Sequence, residues 1–169
     1  MARCLVVGCG CRGLELTRAL REAGHAVRGT TRDPRRRGEI EAAGAEPFVG
    51  DPNLVGTLAP ALAHVGVACI LLGSATGAAD DLAALHGTRL EMLLERMLDT
   101  TVRGVVYQAA GSTDPALLAA GAQRVRHACE RSLIPYELLS TDPAAGDAWI
   151  ADAVAAIERA LVRRDQYAR

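Results

Sequence analysis

The sequence predicts an α/β fold: a doubly wound parallel sheet of the Rossmann type, about six strands in the order 3-2-1-4-5-6. Three observations carry the prediction. Short apolar runs alternate with longer helical stretches from end to end, the pattern of a parallel sheet covered by helices on both faces. The runs Arg3–Gly8 and Val67–Leu72 are almost wholly apolar, as strands buried on both faces are. A G-x-G-x-x-G motif, Gly8 to Gly13, stands between the first strand and the first helix. Right-handed crossovers then give the strand order.

The elements follow in turn. Arg3–Gly8 is the first strand, and Cys11–Ala23 is a helix with Leu14, Leu16 and Leu20 on its apolar side and Gly24 as its stop. Ala26–Thr31 is the second strand. Pro34 suits the first turn of a helix running to Ala43, where Gly44 ends it. Pro47–Gly50 is a short third strand. Asn53–His64 is a short helix interrupted or restarted at Pro60, and Val67–Leu72 is the fourth strand. Ala78–Thr100 is the longest helix, with a possible break at His86–Gly87. Val102–Ala109, helix Pro115–Ser132, strand Tyr136–Ser140 and helix Asp147–Arg164 complete one domain.

Composition narrows the function. The net charge of -1 offers no basic field for nucleic acid, and no apolar run reaches the roughly 18 residues of a membrane span. Aromatics make up 3%, so the core is built from aliphatic side chains. All the Lys+Arg content is Arg, which removes lysine-based chemistry. Five cysteines without framework spacing, and no signal-peptide pattern, point to a reduced, cytoplasmic protein. Histidines at 25, 64, 86 and 127 are scattered, and no metal motif is seen.

The glycine loop is the strongest functional signal. Gly8 permits the tight turn, Gly10 lets backbone approach a pyrophosphate, and Gly13 lets helix and strand pack closely. Cys11 and Arg12 lie within the loop as backbone N–H donors, where the helix N-terminus favours an anion. The end of the second strand reads Gly29-Thr30-Thr31-Arg32-Asp33. Thr31 and Arg32 suit the 2′-phosphate of NADP(H), with Arg12 and Arg35 nearby. Asp33, turned inward, would select NAD instead. Asp51 is either an adenine contact or a turn residue. Gly73, Ser74 and Ala75 follow the fourth strand, and small residues there let a cofactor lie against backbone.

The segment VVGCGCRGLELTRALREAGHAVRGTTRDP resembles the opening of atypical and extended short-chain dehydrogenases/reductases, in particular the epimerase-like branch. The likeness continues through VGDP, LLGSA, VRGVVYQAAGS and IPYELLSTDP, though only the first third is specific. The resemblance implies a Rossmann domain that binds NAD(H) or NADP(H). Active members place Ser or Thr after the fifth strand and Tyr-x-x-x-Lys on the next helix. Here that strand ends Tyr107-Gln108-Ala109-Ala110, and no Tyr-x-x-x-Lys exists in the chain. Only the cofactor positions carry over, and no catalytic residue is assigned.

Three functions fit. The first is an NADP(H)-binding sensor or regulator without the usual Ser/Tyr/Lys catalysis. The second is a small NADPH-dependent reductase of flavins or quinones, with Ser74, Ser112, Tyr107 and His86 as possible lining. The third is a dimeric scaffold. The apolar stripe Leu90, Leu93, Leu94, Met97 and Leu98, with Trp149 and Ile150 on the last helix, suits either the chain's own core or a homodimer; the resemblance also implies a dimer built on the helices flanking the fifth strand.

Overall fold

The computed structural model describes residues 1–162. Strands β1 (Arg3–Val7), β2 (Ala26–Thr31), β3 (Glu46–Val49), β4 (Val67–Ile70), β5 (Gly104–Gln108) and β6 (Tyr136–Leu139) form one sheet in the order β3-β2-β1-β4-β5-β6. Every adjacent pair is parallel. The helices are α1 (Cys11–Glu22), α2 (Arg37–Ala42), α3 (Ala79–Leu85), α4 (Thr88–Leu98), α5 (Pro115–Ser132) and α6 (Asp147–Val162).

Alternation along each strand feeds two cores. Leu5, Val7, Ala68, Ile70, Val105 and Tyr107 point into the layer made by α4, α5 and the segment Val55–Leu62. Cys4, Val6, Val67, Cys69 and Val106 point the other way, onto Leu16 and Leu20 of α1 and Trp149, Ala153 and Ile157 of α6. This two-sided burial explains why β1 and β4 read as unbroken apolar runs. The stripe of α4 is spent on the chain's own core: Leu90, Leu93, Leu94 and Met97 are buried, while Met92 and Leu98 remain exposed.

The stretch Ala78–Thr100 is broken at His86–Gly87, where the sequence offered a break: His86 turns inward and the chain restarts at Gly87. A Cβ at Gly87 would lie 2.7 Å from the Ala83 carbonyl oxygen. Other elements differ from the sequence reading, each for a local reason. Asn53–His64 is a 3-10 segment over Val55–Leu62, with Pro60 denying an amide to a regular helix. Pro34–Arg36 is a 3-10 turn capped by the Asp33 carboxylate before α2 begins. The Asp114 carboxylate caps α5 by accepting from the Ala116 amide. The last helix is described to Val162, so the expected Arg163 and Arg164 lie outside the described residues.

Arg28 ties this frame together on the β3 side. It is buried, forms a bidentate pair with Glu46, and donates to the carbonyls of Ala61 and Ala63 at 2.6 and 3.0 Å. A guanidinium can be buried here because nearly all of its donors are met.

Candidate functional site

β1 and β4 are neighbours, but the chain leaves them in opposite directions across the sheet. A crevice opens at the carboxyl ends of strands at such a switch point. Here it is a cleft of about 480 Å³.

Its floor is the glycine loop. Gly8 has φ +84°, and a Cβ there would lie 2.6 Å from the Leu71 carbonyl oxygen. Gly8 N–H donates to Thr30 Oγ1, and Cys9 N–H to the Thr30 carbonyl, so β2 holds the loop against β1. A Cβ on Gly13 would meet the Gly8 carbonyl oxygen at 3.2 Å and Val6 Cγ1 at 3.4 Å, which sets how closely α1 approaches β1. A Cβ on Gly10 would meet nothing within 4 Å. The absent side chain at Gly10 therefore leaves room above the loop, whereas those at Gly8 and Gly13 leave room for the protein itself.

The first turn of α1 faces this room. Gly10 caps it without a side chain, the Gly10 amide donates to the Gly8 carbonyl, and the first regular bond runs from Leu14 N–H to Gly10. The amides of Cys11, Arg12 and Gly13 have no acceptor among the described residues. Unpaired amides and the helix dipole favour an anion there. Arg12 lines the cleft and pairs with Glu15. Cys11 is exposed; the other four cysteines are buried. Burial pushes the Cys9 thiol up, partly opposed by its contact with Thr17 and by the charge of Arg36.

At the end of β2 the two rival side chains part. Arg32 is exposed, lines the cleft and has no partner among the described residues. The Asp33 carboxylate accepts from the Arg35 amide at 3.0 Å and from the Arg35 guanidinium at 2.9 to 3.1 Å. The Arg35 bonds hold its pKa below the usual carboxylate value. Thr31 is buried on the cleft wall, its hydroxyl spent on the backbone of Asp33. Arg36, paired with Glu39, also lines the cleft.

The remaining positions divide. Asp51 is outside the lining: its carboxylate accepts from the Asn53 amide in a turn, and Asn53 faces the cleft instead. Ser74 and Ala75 line the cleft; Gly73 lies beneath them. Its N–H donates to Gln108 Oε1 at 3.1 Å, and Gln108 Nε2 donates to the Ala110 carbonyl at 2.9 Å. A Cβ on Gly111 would stand 2.1 Å from the Gly73 carbonyl oxygen, so the loops after β4 and β5 touch backbone to backbone.

Sequence reasoning passed over Asn53 and Gln108, and the arginine Arg89. Asn53 accepts from Arg89, whose guanidinium also reaches Asp81 on α3 at 3.3 Å. His86 and Tyr107 do not line the cleft. His86 is buried, with Nδ1 at 2.7 Å from Tyr107 Oη and Nε2 at 3.1 Å from the Leu72 carbonyl oxygen. The carbonyl can only accept, so Nε2 carries the proton and Nδ1 accepts from the tyrosine. Burial lowers the His86 pKa and raises that of Tyr107. Gly121 leaves the space for the phenol: a Cβ there would lie 2.0 Å from Tyr107 Oη.

An anion cradle with free amides, an open face above Gly10 and an unpaired guanidinium at the end of β2 fits a phosphate-bearing dinucleotide. Among the described residues no cluster of His, Cys, Asp and Glu is placed to hold a metal ion, and no helix is long and apolar enough to cross a membrane.

No family model matches the sequence, and no curated protein does. Solved structures match the fold. One is a short-chain dehydrogenase/reductase superfamily protein from Agrobacterium tumefaciens with bound NAD (TM-score 0.65, 20% identity, 80% of this chain and 48% of that one). Another is the triphenylmethane reductase of Citrobacter sp. complexed with NADP(H) (0.61, 21%, 82% and 49%). A third is UDP-glucuronic acid 4-epimerase from Bacillus cereus in complex with NAD (0.64, 16%, 83% and 56%). The chain thus has the Rossmann fold seen in short-chain dehydrogenases/reductases and spans about half the length of these structures.

Proposed function

We propose that the cleft binds NADP(H) and that the chain acts as a dinucleotide-binding sensor or regulator without the Ser/Tyr/Lys proton transfer of short-chain dehydrogenases/reductases. The single observation that carries binding is the set of unpaired amides at Cys11, Arg12 and Gly13 over the open face of Gly10. The neighbours solved with NAD or NADP(H) support the class of ligand. The choice of NADP(H) over NAD rests on the strand end: Arg32 is free to pair with a 2′-phosphate, while Asp33 is already held by Arg35.

A bound nicotinamide dinucleotide supplies hydride chemistry. Beside β5 this chain presents Ala109 and Ala110, with the Gln108 amide engaged by Gly73 and Ala110. None of these is a proton donor of useful pKa, which favours binding without turnover. A second reading has one observation behind it. The cleft wall contains Leu71, Leu72, Ala75, Leu82 and Leu85, an apolar surface that suits a flat flavin or quinone taking its proton from water.

Calorimetric titration with NADPH, NADP, NADH and NAD tests both readings. Micromolar NADPH binding with much weaker NADH binding is expected. Arg32→Ala should remove that preference and leave NADH binding unchanged; equal loss of both nucleotides refutes the role given to Arg32. NADPH consumption with flavins or quinones would replace the sensor by the reductase.

A further inference from the structure

We propose that α3 is a movable wall of the cleft, latched shut by Arg89, which bridges Asn53 in the loop after β3 and Asp81 on α3. Arg89 stands at the start of α4, a helix fixed by four buried side chains, Leu90, Leu93, Leu94 and Met97. From that post its guanidinium reaches the Asn53 side chain, in the loop after β3, and Asp81 on α3. Asn53 and Asp81 both line the cleft, so one side chain ties two separate stretches of its lining together.

Apart from this tie, α3 is held by Leu85, its one buried residue, and the partly buried Leu82, both packed on the same core as α4. Ser74, Thr76, Gly77 and Ala78 before it are exposed, and nothing lies within 4 Å of a Cβ at Gly77. The other end is pinned: His86 is bonded to Tyr107 and to the Leu72 carbonyl, and Gly87 marks the break before α4. The segment is therefore anchored at His86, free at Gly77, and closed between them by an ion pair whose Asp81 side chain is 61% exposed. Such a pair is weak against water. Opening α3 breaks that latch and withdraws only Leu85 and the partly buried Leu82 from the edge of one core, as expected of an element drawn from the low-stability end of a fold. The opening is a property of the chain alone; its consequence for NADPH rests on the binding proposed above.

Hydrogen exchange of the full chain, read by mass spectrometry without nucleotide, tests the wall directly. Amides from Leu82 to His86 should exchange much faster than those from Leu93 to Met97. Arg89→Ala should speed the former a further two- to fivefold, roughly the range an exposed ion pair supplies, and leave the latter unchanged. Asp81→Asn leaves α4 untouched and should do the same, which covers the case in which Arg89→Ala loosens α4. Equal protection of α3 and α4, or no effect of either variant on α3, overturns the proposal. With NADPH added, α3 exchange should slow, and Arg89→Ala should release NADPH faster by a similar factor. NADPH that binds without slowing α3 also overturns the wall. A mobile α3 in a chain that binds no nucleotide leaves the wall standing and refutes the binding.

Discussion

The three loop glycines allow folding and binding to be separated by a single methyl group placed in turn at each. Gly10→Ala is the decisive variant. Gly10 has φ -81° and ψ -160°, which alanine adopts freely, and its Cβ would touch nothing. Stability should change little, since the about 0.4–1 kcal/mol that alanine gains by restricting the unfolded chain is offset by its poorer fit at the helix N-cap. The same methyl occupies the room above the loop, and intrusion into a filled site costs about 1–3 kcal/mol, or roughly 5- to 150-fold in Kd. Gly8→Ala is the opposite case. Its φ of +84° costs alanine about 1–2 kcal/mol, and the Leu71 carbonyl oxygen at 2.6 Å must move besides. Gly13→Ala lies between: the helix gains about 0.5–1 kcal/mol, offset by contacts at 3.2 and 3.4 Å. Urea unfolding of each variant gives the stability order Gly10→Ala close to wild type and Gly8→Ala far below it. Titration with NADPH gives the binding order, in which Gly10→Ala is stable and binds poorly. Wild-type affinity in Gly10→Ala would refute the cradle, since no ligand would then pass over that backbone.

Three further outcomes follow from the same geometry. Gly121→Ala should lower stability by about 1–3 kcal/mol, because its Cβ lies 2.0 Å from Tyr107 Oη; denaturant curves of Gly121→Ala, Tyr107→Phe and the pair should show costs that do not add, and strict additivity would refute the contact. His86 titrates below its ordinary value of 6.5 in the folded chain, through burial opposed by the Leu72 carbonyl. The unfolded chain therefore binds the extra proton first, so stability contributed by His86 is full above about pH 6.5 and declines as pH falls below it; wild type should lose more stability than His86→Gln between pH 7 and 5, and parallel loss would show His86 to be indifferent. In the native chain only Cys11 should react quickly with a thiol reagent, since the other four cysteines are buried and burial raises Cys4 and Cys129 to about 12; more than one fast-reacting thiol would contradict that packing.

The sheet was legible in the sequence because each central strand has to satisfy two cores at once. That demand leaves no polar position in Val67–Ile70 and only Arg3 at the start of β1. The glycine loop was legible for the same kind of reason: three backbone demands within six residues leave few alternatives. Where a residue's partner is local but has two equally good directions, the sequence is silent. Arg32 and Asp33 are adjacent, and either side chain could have faced the cleft; the outcome follows from Pro34, which starts a 3-10 turn whose Arg35 amide claims the Asp33 carboxylate. Asp51 and Asn53 show the same ambiguity, settled by an Asx turn that spends the aspartate on backbone.

Residues whose partners come from distant strands and loops were harder still. His86 looks like an interruption in a helix until β4 and β5 bring Leu72 and Tyr107 to its two nitrogens. Gly121 looks like a weak point in α5 until the Tyr107 hydroxyl is found in the space it leaves. These two features belong together. A buried phenol and imidazole each need a partner or carry a desolvation cost, and Gly121 lets them meet. The same bond turns the chain inward at His86 and so ends α3 where it does. The break that divides the longest predicted helix is thus the anchor from which the cleft wall hangs. Replacing the pair by apolar side chains of similar size should preserve the sheet while freeing α3 at both ends, so nucleotide affinity should fall further than stability does.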